Sequence, residues 1–90
     1  MKITEILAIN LKYYRKVYNL SQEKFAAIIG TSLSYLNQIE NNKVDVKSST
    51  IDKFAKNLSL YSKNENITSQ DLVSYIPKRR TNFNRIDEKK

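Results

Sequence analysis

This sequence of 90 residues has no cysteine and no histidine, one glycine and one proline. Each shortage excludes something. Without cysteine there is no disulfide framework, no thiolate metal site and no thiol nucleophile. Without histidine the usual general base and the commonest metal ligand are missing. Catalysis would fall to nine scattered Asp and Glu residues, none paired at a suggestive spacing. An enzyme is therefore not expected, nor a bound metal or small-molecule cofactor. Long apolar runs are also missing: none approaches the roughly twenty residues that span a bilayer. The opening MKITEILAINLKYY has no apolar stretch ending in small residues, so it does not read as a signal peptide. The expectation is a cytoplasmic protein with no membrane partner.

What the chain does contain is an excess of positive charge. Its net charge is +7, from 16 Lys and Arg against 9 Asp and Glu, which favours an acidic partner. The excess is uneven. Residues 1–76 carry ten basic and seven acidic groups, net +3, while 77–90 carry six and two, net +4. Ninety residues suit one domain with a modest core. We read 1–76 as that domain and 77–90, PKRRTNFNRIDEKK, as a flexible basic tail with too few apolar residues to build a core.

The stretch Ser21 to Asn42, SQEKFAAIIGTSLSYLNQIENN, organises the rest. Ser21 caps a helix over Gln22 to Ile29, in which Phe25, Ala26, Ile28 and Ile29 recur at helical spacing. Gly30 breaks the run, and Ser32 caps a second helix with Leu36 and Ile39 on one face. A sharp corner between helices needs a residue at positive φ, which glycine adopts without steric penalty. Ala26, one turn before Gly30, is small enough for the second helix to come close. Counted from Gln22, a small residue stands fifth, glycine ninth, and apolar residues fifteenth and eighteenth. That is the layout of two helices joined by a tight recognition turn. The bland alternative is a plain αα-hairpin in a small bundle.

Elsewhere the pattern is also helical. A first helix is expected from about Ile3 to Tyr18, burying Leu7, Leu11, Tyr14 and Val17 and turning Lys12 and Lys16 outward. Asn19 ends it. Asn42 can stop the second helix of the turn motif, and Val44 or Val46 dips into the core from the following loop. A fourth helix starts between Lys47 and Ser49 and reaches Leu58 or Ser59, with Ile51, Phe54, Ala55 and Leu58 inward. After the polar SKNEN, a fifth runs from Ser69 to about Ile76, capped by Thr68 or Ser69, with Leu72, Val73 and Ile76 apolar.

Residues 6–60 resemble the lambda-repressor/Cro-like, or XRE-type, helix-turn-helix family. The resemblance rests on Leu11, Tyr14 and Arg15, then Leu20-Ser21-Gln22-Glu23 and Phe25-Ala26. It continues through Ile29-Gly30, Ser32, Ser34-Tyr35-Leu36, Ile39-Glu40-Asn41, Ile51, Phe54-Ala55 and Leu58. It implies an all-α, five-helix domain that binds double-stranded DNA as a homodimer and controls transcription. Three places depart from the pattern: Asn42 where glycine is common, Leu33 where a long polar residue often reads a base, and a longer link at Tyr61 to Asn66.

In such a motif the second helix lies in the major groove, its N-terminal half toward the base edges. Leu33, Ser34, Asn37 and Gln38 are the exposed positions there. Asn and Gln can bond adenine, Ser several edges, and Leu a thymine methyl. Ser34 and Gln38 are taken as the main readers, Leu33 and Asn37 next. A merely solubilising outer face is the alternative for Asn37 and Gln38. Phosphate contacts are expected from Gln22, first in its helix, and from Asn41, Lys43 and Lys47 beyond the recognition helix; ordinary surface charge is the alternative for the lysines. Tyr35, at the margin, is either a further phosphate contact or half-buried packing, and packing is favoured. The resemblance further implies a structural salt bridge between Arg15 and Glu40. Leu72, Val73, Tyr75 and Ile76, with Leu60 and Tyr61 beside them, form the expected dimer contact, unless they only close the monomer's own core.

The expected function is thus a sequence-specific transcriptional regulator acting as a homodimer on a near-palindromic operator, of the small-repressor or restriction–modification controller type. A different class is an antitoxin-like interaction module whose basic tail binds a partner protein. Membrane binding through the tail is weaker, since only Phe83 and Ile86 could insert.

Overall fold

Five helices follow one another in the computed structural model, which describes residues 2–63 and 65–77. They are α1 (Ile3–Val17), α2 (Gln22–Ile29), α3 (Leu33–Glu40), α4 (Ser48–Ser62) and α5 (Ser69–Val73). No strand occurs among the described residues. The expected basic tail, from residue 78 on, lies outside them.

Short polar side chains start α2, α3 and α5, and left-handed residues stop α1, α2 and α3. Ser21, Ser32 and Thr68 accept hydrogen bonds from the amides of Lys24, Tyr35 and Asp71, satisfying first-turn donors that have no partner within the helix. Asn19 (φ 56°), Gly30 (φ 84°) and Asn42 (φ 57°) take the left-handed conformation. In each case the next amide reaches back over the last turn: Leu20 to the Arg15 carbonyl at 3.0 Å, Thr31 to Ala26 at 2.9 Å, Lys43 to Gln38 at 2.9 Å. This closure binds carbonyls that a helix C-terminus would otherwise leave open. Asn42 therefore does at this corner what glycine does elsewhere in the family pattern.

The core is drawn from every helix. Leu7 and Leu11, Phe25 and Ile29, Leu36 and Ile39, Phe54 and Leu58, and Leu72 are fully buried. α1 packs on α3 and α5, α2 on α3 and α4, and α4 on α5. The inner face of α3 is thereby seated on α1 and α2, and its outer face is left to solvent.

Four details differ from the sequence expectation. Val17 is 52% exposed, because the buried stripe of α1 runs Leu7, Leu11, Tyr14 and then Tyr18, one position further on. Tyr18 stacks on Tyr14 (6.2 Å between ring centroids) and meets Tyr61 edge-on (5.4 Å). α4 continues a turn past Ser59, which carries Tyr61 to that contact. The longer link then turns back where the Ser59 hydroxyl accepts from the Ile67 amide (2.7 Å) and donates to its carbonyl (2.8 Å), burying Ile67. α5 stops at Val73 instead of reaching Ile76, since Ser74 is extended (φ −94°, ψ 130°). Finally, Leu72 belongs to the monomer's core and is unavailable as a dimer contact; Val73 packs half-buried against the same core. Val44 and Val46 both pack on it.

Candidate nucleic-acid interface

The turn between α2 and α3 is held from behind by α4. Gly30 ends α2, and the carbonyls exposed at that end find side-chain donors on α4. Asn57 Nδ2 donates to the Ile29 carbonyl (2.9 Å), and Lys53 Nζ to the Gly30 carbonyl (2.9 Å). A Cβ at Gly30 would lie 3.0 Å from Asn57 Nδ2, so positive φ and close approach both favour glycine here.

Beyond the turn, α3 divides cleanly. Leu36, Ile39 and Glu40 are buried, while Leu33, Ser34, Asn37 and Gln38 are exposed together on the opposite face. Leu33, 44% exposed, is the apolar member of that face. Tyr35 is half-buried and packs against the core, which matches the packing alternative. Lys43 and Lys47 are exposed along the connection to α4.

The end of α3 is tied to both preceding helices through one carboxylate. Arg15 Nε donates to Glu40 Oε2 (2.9 Å) and Nη2 to Oε1 (3.1 Å), a bidentate pair with side-chain exposures of 14% and 2%. Gln22 Nε2 donates to the same Oε1 at 2.9 Å. A buried carboxylate needs such partners, because an unpaired charge away from water is costly. The Gln22 side chain is therefore committed in part to Glu40. Its second Nε2 hydrogen and the N-terminus of α2 remain for an anion. Asn41 is exposed, and its Nδ2 donates back along the helix surface to the Asn37 carbonyl (2.9 Å) and Asn37 Oδ1 (2.7 Å).

This arrangement, a solvated polar face on a short capped helix whose opposite face is clamped, is that of a recognition helix. A family model described as Helix-turn-helix matches residues 11–63, more than half of the chain. The chain belongs to the helix-turn-helix family, of the lambda-repressor/XRE type. Among relatives of this helix-turn-helix protein, Control protein C.SmaI of Serratia marcescens is 42% identical over 59 residues, which cover 66% of this chain and 70% of that one. The solved structure of a hypothetical transcription factor, NHTF from Neisseria, has a TM-score of 0.69 at 23% identity, covering 90% of this chain and 84% of that one. That likeness is one of fold.

Sequence reasoning missed several residues that hold this helix-turn-helix in place. The bond from Gln22 to Glu40 and the α4 donors Lys53 and Asn57 link residues far apart in the chain, and no local pattern marks them. Asn10 did carry a signal, being three residues after Leu7 on the buried side of α1. It is 1% exposed, and its Nδ2 donates to the carbonyls of Leu72 (2.8 Å), Ser74 (3.0 Å) and Asp71 (3.3 Å), closing the end of α5. No group of three His, Cys, Asp or Glu that could hold a metal ion occurs among the described residues, and no helix there is long and apolar enough to cross a membrane.

Proposed function

We propose that this protein is a sequence-specific regulator of transcription, acting in the cytoplasm as a homodimer on a near-palindromic operator. The observation that carries the reading is the outer face of α3, where Ser34, Asn37 and Gln38 stand in solvent while the inner face is fixed on the core and by Glu40. Hydrogen-bonding side chains on a helix free to enter the major groove are what direct readout needs. Ser34 and Gln38 read bases with Leu33 and Asn37 beside them. Gln22, Lys43 and Lys47 meet phosphates, which set register and orientation.

One monomer covers half a site. A two-fold pair would set its recognition helices about 34 Å apart, one turn of DNA. Leu60 (67% exposed) and Tyr61 on α4, and Tyr75 and Ile76 after α5, supply exposed apolar side chains for the contact. The +7 charge favours approach to a polyanion. The likeness to a control protein supports a regulator of the small-repressor or restriction–modification controller type.

Footprinting the purified protein on DNA upstream of its own gene tests this reading. Two protected half-sites related by a dyad are expected, lost in Ser34→Ala/Gln38→Ala at unchanged melting temperature. A stable co-purifying protein with no protected DNA would overturn it in favour of an interaction module.

A further inference from the structure

The bond from Asn41 back to Asn37 fixes more than its own position. A backbone carbonyl can only accept, so the Asn41 atom 2.9 Å from the Asn37 carbonyl is its amide nitrogen. That nitrogen is also 2.7 Å from the Asn37 side chain, and both of its hydrogens are then used. The Asn37 atom it meets must accept, and is Oδ1. Were the Asn37 amide turned round, two NH2 groups would face each other. The orientation of both amides thus follows from one main-chain oxygen. Asn41 is itself fixed: it caps α3, its own amide bonds to Asn37 (3.0 Å), and the closure through Asn42 and Lys43 locks the turn behind it.

We propose that Asn41 is a positioning residue that holds Asn37 with Nδ2 facing outward, so that Asn37 reads a hydrogen-bond acceptor in the major groove. This rests on the DNA-binding reading above. Bidentate recognition of adenine uses both the oxygen and the nitrogen of an amide, and here the oxygen is drawn back along the helix. Two outward hydrogens match guanine O6 and N7 together. Thymine O4 and adenine N7 each offer one acceptor, adenine with the N6 donor beside it, and cytosine offers only the N4 donor. Asn41, its own hydrogens spent, presents only Oδ1 to solvent, an acceptor that does not bind phosphate. Its part is to set specificity through Asn37, in place of the phosphate contact expected from position alone.

The experiment is selection from a randomised duplex pool with the full chain, in the wild type and in Asn37→Ala, Asn41→Ala and Asn37→Asp. Asn37→Ala identifies the base pair concerned by losing selectivity there. At that pair the wild type is expected to favour guanine over adenine and cytosine by about tenfold. Asn41→Ala brings the preference within about twofold there and leaves other pairs unchanged, an outcome that a merely structural role would not give. Asn37→Asp keeps the bond from Asn41 but turns an acceptor outward, moving the preference to cytosine or adenine. The proposal is overturned if the wild type favours adenine at this pair, or if Asn41→Ala weakens all sequences equally. Failure of the wild type to enrich any sequence would instead overturn the DNA-binding reading itself.

Discussion

At Glu40 three donors from two other helices converge on one carboxylate: Arg15 Nε, Arg15 Nη2 and Gln22 Nε2. Removing the arginine leaves a buried charge with a single neutral donor. Arg15→Ala should therefore lower stability by about 3 kcal/mol, toward the low end for a broken buried pair because Arg15 keeps some contact with water. Replacing both partners together, Arg15→Met with Glu40→Met, should restore most of that in chemical denaturation while operator affinity stays low. Restored affinity would show that the ion pair does not position α3. Asn10 holds three carbonyls at the end of α5 with one amide nitrogen. Asn10→Ala should lose about 1–3 kcal/mol by removing the donor they share, read as a lower urea midpoint at unchanged slope. The Arg15–Glu40 pairing was legible through the family resemblance. Neither the third donor at Glu40 nor the carbonyls that Asn10 meets could be read from sequence, because they come from elements 18 and about 60 residues away.

At the scale of the element, the α2–α3 turn was readable in advance. A capping serine, a small residue, the sole glycine and a second capping serine are local instructions, and local sterics execute them. Gly30→Ala should cost about 1–2 kcal/mol from the left-handed backbone, with more added as the new Cβ presses on Asn57. In a double-mutant cycle with Asn57→Ala the two losses should be less than additive, and full additivity would separate the clamp from the turn. The ends of α4 and α5 were less legible, since tertiary bonds through Tyr61, Ser59 and Asn10 decide them. The junction of α1 with α4 has its own pH signature. Partial burial, then the hydrogen bond from the Tyr18 hydroxyl to Glu65 (2.6 Å), raises the Tyr18 pKa above its ordinary value of 10.0. A folded-state pKa above the unfolded one favours the neutral phenol. That stability is full below about pH 10 and is lost as pH rises further. The melting temperature of the wild type should therefore fall more steeply than that of Tyr18→Phe between about pH 9 and 11; parallel curves would remove the hydroxyl from this role.

At the scale of the whole molecule, the proposed homodimer makes a prediction about surface residues. The proposed contact leaves Leu60, Tyr61, Tyr75 and Ile76 in water in the monomer. Tyr61 is partly engaged by Tyr18, so Leu60 is the cleaner probe. Leu60→Glu should shift sedimentation equilibrium toward monomer and weaken operator binding by tenfold or more, on the order of 1.4 kcal/mol, while helical content stays unchanged. An unaltered association state would place the dimer surface elsewhere. Leu72, counted with this surface on apolarity alone, lies fully inside the monomer. Periodicity marks a residue as buried without saying whether its own chain or a second copy covers it.

Local sequence was enough to set the five helices, the capped starts of α2, α3 and α5, the left-handed stops of α1, α2 and α3, and the order in which the turn motif is built. These depend on residue type and near-neighbour sterics, which act over one or two turns of chain. Packing in three dimensions was needed to bring Gln22 to Glu40 as a third donor, to end α4 and α5, and to put Leu72 inside. The physical reason is the same each time: a buried polar atom takes whichever partner the packed fold brings within reach, and that partner's distance along the chain has no bearing on the choice.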